Sequence, residues 1–222
     1  MIFPLVLLAT VLALPAGAEP IKTWPFKVYL DDTEIGHHTF ELRRHDIGQE
    51  MRIHARFEVK LLRLTLYSYR HDNLEHWRDD CLQALEATTE ENGQRVTVRA
   101  RAHGVLLRVQ VDERLTELSE PCPMSFAYCN PVILRATRLL NPQTGALVDV
   151  RITPADTEPV PVGELTVPGR RYILRGRDLR IDLFYSEQGE WLALEAPIKG
   201  GRTLRYRLER LPRCVSRGEA YT

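Results

Sequence analysis

The chain has 222 residues, of which 27% are charged and 44% hydrophobic. Its 30 lysines and arginines balance 30 aspartates and glutamates, so it has no basic surplus for general nucleic-acid binding. The composition excludes wholesale disorder, and the length suits one domain or two small ones with a core that stands without staples.

The chain opens on Met1–Ala18, MIFPLVLLATVLALPAGA, which carries no charged side chain and ends in Ala16-Gly17-Ala18. An apolar run closed by small residues in the A-x-A pattern predicts a secretory signal peptide over 1–18, cleaved before Glu19. The expected product is residues 19–222, a single β domain delivered to the periplasm. No cysteine stands at the cleavage site, so attachment as a lipoprotein is not indicated. No later segment is apolar enough to span a bilayer, so the mature chain is not expected to be an integral membrane protein.

Period-two alternation then dominates. Met51, Ile53, Ala55, Phe57 and Val59 share one face of a strand, and Arg52, His54, Arg56 and Glu58 take the other. Val96, Val98, Ala100 and Ala102 oppose Thr97, Arg99 and Arg101; Val105, Leu107, Val109 and Val111 oppose Arg108 and Gln110. One apolar and one solvated face is the antiparallel pattern. Turn signals separate the runs at Asp31–Glu34, Ile47–Gln49, Glu91-Asn92-Gly93, His103-Gly104, Gln188-Gly189 and Lys199–Gly201. About ten to twelve strands are expected, more than a flat sheet holds without curling. The fold class is therefore all-β, a curved antiparallel meander forming an incomplete or closed barrel.

One helix interrupts the series. Asn130 is placed to cap it, Pro131 takes the first position, Val132–Leu140 carries it, and Asn141-Pro142 ends it. Thr153–Gly163, with prolines at 154, 159 and 161, reads as an irregular link.

Four cysteines, Cys81, Cys122, Cys129 and Cys214, follow the signal. An even count in an exported chain predicts disulfides. Three pairings are open; the closeness of Cys122 and Cys129 favours a local bridge, leaving Cys81 for Cys214. There is no C-x-x-C and no zinc-finger spacing of cysteine with histidine, so neither a thioredoxin-like role nor a zinc site is read. No cofactor motif is present.

The chain resembles a family of exported bacterial β proteins described as a domain of unknown function. The resemblance rests on Phe26–Asp32 with Ile35–Phe40, on Leu139–Gly145, and on Arg171–Leu174 through Asp182–Tyr185 to Trp191 and Tyr206. It implies a curved antiparallel sheet or half-barrel similar to envelope lipid-carrier folds, and it brings no catalytic residue or ligand with it.

Several groups are candidates for chemistry. His37 and His38 are adjacent on a strand and so point to opposite faces, which argues against a shared metal ion. His71, Asp72, His76, Asp79 and Asp80 form a polar cluster in which a carboxylate can orient a histidine as general base, though no G-x-S-x-G marks a nucleophile. Arg63, Arg70, Arg78, Arg99, Arg101 and Arg108 recur on polar faces, either as a basic stripe for anionic groups or, with interspersed carboxylates, as a cross-strand charge lattice. Leu61, Leu62, Leu64 and Leu66 put apolar groups on both faces of one strand. With Tyr67, Tyr69, Trp77, Phe184, Tyr185 and Trp191, Leu62, Leu64 and Leu66 are the candidate lining for a hydrophobic ligand. The expected function is binding or carrying a hydrophobic envelope ligand such as a lipid. The alternatives are an envelope hydrolase built on the His71–Asp80 cluster and a structural partner in an envelope protein complex that pairs through an edge strand.

Overall fold

The structure is a computed structural model that describes residues 21–61, 64–198, 200–212 and 214–215. The signal peptide expected over 1–18, Leu62 and Arg63 lie outside the described residues, as do the side chains of Leu64 and Cys214. Sixteen strands are described: β1 Ile21–Leu30, β2 Thr33–His45, β3 Gly48–Leu61, β4 Leu64–Arg78, β5 Cys81–Glu91, β6 Gln94–His103, β7 Leu106–Val111, β8 Arg114–Ser119, β9 Arg138–Leu140, β10 Leu147–Asp149, β11 Arg151–Val162, β12 Leu165–Arg175, β13 Arg180–Tyr185, β14 Trp191–Pro197, β15 Thr203–Leu208 and β16 Cys214–Val215.

The all-β, antiparallel expectation holds. One sheet runs β11-β12-β13-β14-β15-β1-β2-β3-β4-β5-β6-β7-β8, with β16 pairing the start of β1 and β9-β10 forming a separate hairpin. Sequence order and spatial order agree along two meanders. The first leaves β1 in one direction and the second returns to it, so β1 and β15 pair in register from Phe26↔Leu208 to Leu30↔Leu204. The sheet does not close; β8 and β11 are its two edges.

This topology dictates a crossing. The chain leaves β8 at one edge and must re-enter at β11 on the other, so residues 120–150 travel across the sheet. They carry buried side chains to do it: Met124, Ala127, Cys129, Ile133, Leu139 and Leu140 join the same apolar core as the strands. Backbone bonds hold the crossing, with Leu82 N–H donating to Pro123 O at 2.8 Å and Leu140 N–H to Met124 O at 2.7 Å. The Tyr185 hydroxyl donates to Tyr128 O at 2.6 Å.

Three expectations are corrected here. The helix over 131–140 is a short 3₁₀ turn, Pro131–Arg135, followed by strand β9. Asn130 and Pro131 do start it, with the Asn130 side chain accepting from Val132 N–H. Ala136 is already extended, at φ −69° and ψ 143°, because Leu139 and Leu140 are taken up by pairing with β10. The proline-rich link is mostly strand. Pro154, Pro159 and Pro161 lie in β11, whose register shifts between Pro154 and Thr157. A sheet edge accommodates residues that cannot donate a ladder bond.

The disulfide is Cys81–Cys122, not Cys122–Cys129, and Cys81 is thereby unavailable to Cys214. The Leu82–Pro123 backbone bond lays the two segments side by side, with Cα atoms of Cys81 and Cys122 4.8 Å apart, within the bridging range of about 4.4–6.8 Å. Cys129 is instead a buried free thiol, 3.4 Å from Met51 Sδ.

An aromatic cluster fills the centre. Trp191 stacks at a tilt on Phe26, 4.2 Å between centroids, and meets Phe40 edge-on at 4.9 Å. The crossing segment adds Tyr128, 5.2 Å from the same indole.

Candidate functional site

Strand register shows how a site arises inside this core. Across β1–β5 the inward residues form rows. One row is Phe26, His38, Ala55, His71 and Thr89; the next is Trp24, Phe40, Ile53, Asn73 and Ala87. A third is Leu42, Met51, Glu75 and Leu85. The rows are apolar except where β2, β4 and β5 cross them. β4 therefore lays His71, Asn73 and Glu75 as a polar ladder along the inside of an otherwise apolar wall, and all three are buried.

Most of these groups find partners. Glu75 accepts from Asn73 Nδ2 at 2.8 Å, from Trp77 Nε1 at 2.9 Å and from Ser125 Oγ at 2.9 Å. His71 Nδ1 is 2.9 Å from Thr89 Oγ1, and His38 Nδ1 is 3.1 Å from the Tyr206 hydroxyl. In these rows Trp24 Nε1, His38 Nε2 and Asn73 Oδ1 are buried without a hydrogen-bond partner among the described residues.

A cavity of about 460 Å³ opens against this ladder, within the usual range of about 300–1,000 Å³ for small-molecule sites. His38, Tyr69, His71, Asn73, Glu75 and Tyr206 face its inner part. Phe40 and Ile53 from the same sheet rows, Phe126 and Tyr128 of the crossing segment, and Ile181, Leu194, Ala196 and Leu204 from β13–β15 supply its apolar lining. Asn141, Gln143, Asp178, Arg180 and Ile198 mark the mouth, where Ile198 is exposed. A wider depression of about 600 Å³ lies between the β2–β3 and β4–β5 turns, and it is lined by turn residues such as Arg44, Asp46, Asp79 and Asp80.

Burial sets the charge of the inner wall. It holds His38 well below the ordinary imidazole value, with the nearby His71 and His54 acting in the same direction. It lowers His71 to about 4, with Asp72 opposing and His54 acting in the same direction as burial. It raises the Glu75 carboxyl, offset in part by hydrogen bonds from Asn73, Ser125 and Trp77. Tyr69 and Tyr206 are raised, again mainly by burial. Both inner histidines are therefore neutral near pH 7, so the inner wall offers hydrogen bonds from imidazole, amide and phenol groups. At the mouth, Arg180 is taken by Asp182, at 3.1 and 3.2 Å.

The sequence candidates scatter. Tyr69 lines the cavity. Leu66 is exposed on β4 and Tyr67 is half-buried there. Trp77, Phe184, Tyr185 and Trp191 are buried in the core away from the cavity lining. His37 is exposed and His38 half-buried, as opposite strand faces require. The His71–Asp80 cluster does not converge: His71 points in, whereas Asp72 pairs outside with His54 at 2.7 Å. His76 is exposed, and Asp79 and Asp80 occupy a turn at φ 48° and 61°. Of the candidate arginines, Arg101 pairs across strands with Glu86 and Arg108 with Glu117, whereas Arg78 donates to the Ile47 carbonyl oxygen. Asn73, Glu75 and Tyr206 were not among the site residues the sequence offered; Tyr206 entered only through the family resemblance. Among the described residues no three His, Cys, Asp or Glu side chains are placed to hold a metal ion, and no helix is long and apolar enough to cross a membrane.

Fold and cavity together define an open, curled β sheet wrapped around its own crossing segment, with a pocket of mixed polar and apolar lining that opens to the surface. The chain belongs to the family described as a domain of unknown function, DUF6134, whose model matches residues 26–209. Its fold is similar to that of a crystal structure from Brucella abortus, titled a beta-barrel-like protein of domain of unknown function DUF1849. The TM-score is 0.63 at 11% identity, covering 88% of this chain and 98% of that one, so the likeness is one of fold. No curated protein matches the sequence.

Proposed function

We propose that this protein works in the periplasm as a binder or carrier of a hydrophobic envelope molecule such as a lipid. The observation that carries this reading is the cavity of about 460 Å³ between the sheet and its crossing segment. Its lining mixes apolar side chains, among them Phe40, Ile53, Ile181, Leu194 and Leu204, with the polar ladder of β4, which suits an amphiphile. An alkyl chain against Ile181, Leu194 and Leu204 gains about 0.8 kcal/mol for each methylene buried. Export is supported by the Met1–Ala18 pattern and by a disulfide, which persists in oxidising compartments.

Native mass spectrometry of protein purified from the periplasm tests the reading. The expected result is a chain beginning at Glu19 with a co-purifying lipid of defined mass. Ala196→Leu, which extends a side chain into the cavity, should reduce that occupancy. An apo mass, together with no uptake of lipid from vesicles, overturns it.

A further inference from the structure

We propose that Leu66, on the projecting part of the β3–β4 hairpin, and a row of arginines at the base of that hairpin dock the protein on a bilayer surface carrying anionic headgroups. The docking surface stands on its own residues; its use in loading the cavity rests on the carrier reading. β3 pairs with β2 only as far as Gly36↔Phe57, and β4 with β5 only as far as Tyr69↔Glu91. Past these points β3 and β4 pair with each other alone, through Glu58↔Ser68, Val59↔Tyr67, Lys60↔Thr65 and Leu61↔Leu64. The Asn92 side chain accepts from Ser68 N–H at 3.0 Å, which ties Ser68 to the β5–β6 turn. From Ser68 to Leu64 the hairpin extends about 13 Å further. A two-stranded hairpin is marginal in water by itself, yet this one carries Leu61, Leu64 and Leu66, and Leu66 is 54% exposed.

Charge names the occupant. At the base of the hairpin, register lines up His37, Arg56, Arg70, Glu90 and Arg95 across the outer face, one carboxylate against three arginines. Arg56 and Arg70 stand directly opposite one another, which destabilises a sheet unless an anion lies over the pair. The three arginines are exposed, and none is in an ion pair among the described residues. The carboxylate of the next pair, Glu58, is taken by Lys60 at 2.6 Å. An apolar projection ahead of exposed cations is how an interfacial anchor is built: the apolar side chain enters the acyl boundary and the long basic side chains stay among the headgroups. The cavity mouth lies at the same end. Alternate turns of a meander share an end, and the β1–β15 pairing carries that alignment into the second meander, with Asp31 N–H donating to Thr203 O at 2.8 Å. The β3–β4 connection therefore shares its end with the β14–β15 turn, where Ile198 of the cavity lining is 42% exposed. Tyr67 follows Tyr69 on the same face of β4, so the cavity wall runs on into the hairpin. The opposite end sets Asp46, Asp79 and Asp80 around an exposed Ile47, charges that an anionic surface repels.

The test is flotation of the purified protein with vesicles of phosphatidylglycerol and phosphatidylethanolamine, against vesicles of phosphatidylcholine alone. We expect the natural protein to float with the first and not the second, and to be released as salt rises. Leu66→Asp should weaken binding about tenfold, the scale of one leucine withdrawn from an apolar site. Arg56→Gln with Arg70→Gln should weaken it about ten- to thirtyfold, and Ile47→Asp should change nothing. The substituted side chains are exposed, so an unchanged thermal midpoint is expected of each variant; should one fail to fold, the dependence on headgroup and salt in the natural protein reads the same surface. A natural protein that does not float, or one that floats equally well after Leu66→Asp, overturns the docking surface. So does a dimer that forms without vesicles and is lost in Leu66→Asp, which assigns the hairpin to a second copy of the chain. Lipid in the purified protein without vesicle binding removes the dock and leaves the carrier standing. Vesicle binding without lipid uptake removes the carrier and leaves the dock.

Discussion

The Ser125 hydroxyl donates to Glu75 Oε2 across 2.9 Å and 50 residues of chain. A side chain on the crossing segment is thereby bonded to a fully buried carboxylate on the inside of the sheet, so the crossing segment and the β4 wall of the cavity are one hydrogen-bonded unit.

Removing either end should loosen that unit. Ser125→Ala is expected to cost about 1–2 kcal/mol of unfolding free energy, and Glu75→Ala about 3 kcal/mol, since it strands the Trp77 and Asn73 donors as well. Because burial raises Glu75 above its ordinary 4.5, its contribution is fully present below that pH and falls as pH rises through the raised folded value. Glu75→Gln should therefore gain on the natural protein between pH 5 and pH 8. Urea denaturation at both values checks this; a constant difference would refute it.

His71 gives the opposite pH dependence. Its folded value is lowered from 6.5 to about 4, so its contribution is complete above 6.5 and is lost as pH falls from 6.5 towards 4. Between pH 7.5 and pH 5 this group alone removes about 2 kcal/mol. His71→Phe should show a shallower acid loss than the natural protein in the same urea series. His38, lowered for the same reason, retains the remainder.

The Cys81–Cys122 bridge spans a sequence separation of 41, for which the chain-entropy model predicts a stabilisation of about 4 kcal/mol. The Cys81→Ser, Cys122→Ser double variant should unfold at correspondingly lower denaturant. Peptide mapping under non-reducing conditions should link the segments around 81 and 122. Cys129, whose thiol is pushed up by burial, should resist alkylation until the protein is unfolded.

Gly36 should tolerate no side chain. It sits at φ +151°, where a Cβ would lie 1.9 Å from the Arg56 carbonyl oxygen. The obstacle is backbone of the neighbouring strand β3, so Gly36→Ala must part β2 from β3 beside His38. We expect a loss of about 2–4 kcal/mol and, in lipid uptake from vesicles, weaker binding than Gly93→Ala, whose added Cβ meets nothing within 4 Å.

Much of the architecture was legible in the residues. The alternation over 51–59, 96–102 and 105–111 predicted strands that the structure contains, and Asn92-Gly93 stands at the β5–β6 turn with both residues at positive φ. The site was less legible. Along β4 both faces are polar: Arg70, Asp72 and His76 on one, His71, Asn73 and Glu75 on the other. Alternation within the strand does not say which set turns inward. The usable signal lay in the neighbour, since pairing β4 to the strongly one-sided β3 puts Ala55 opposite His71 and Ile53 opposite Asn73.

Composition and local pattern by themselves determined an all-β antiparallel meander and its turns, because side-chain alternation and turn chemistry are properties of neighbouring residues. Tertiary structure decided what depends on residues far apart. It joined β1 to β15, sent residues 120–150 across the sheet, and placed Cys122 beside Cys81. It also turned a few polar side chains of β2 and β4 into the core, where burial rather than sequence spacing sets their protonation and leaves His38 and Asn73 each with an unfilled hydrogen-bonding position.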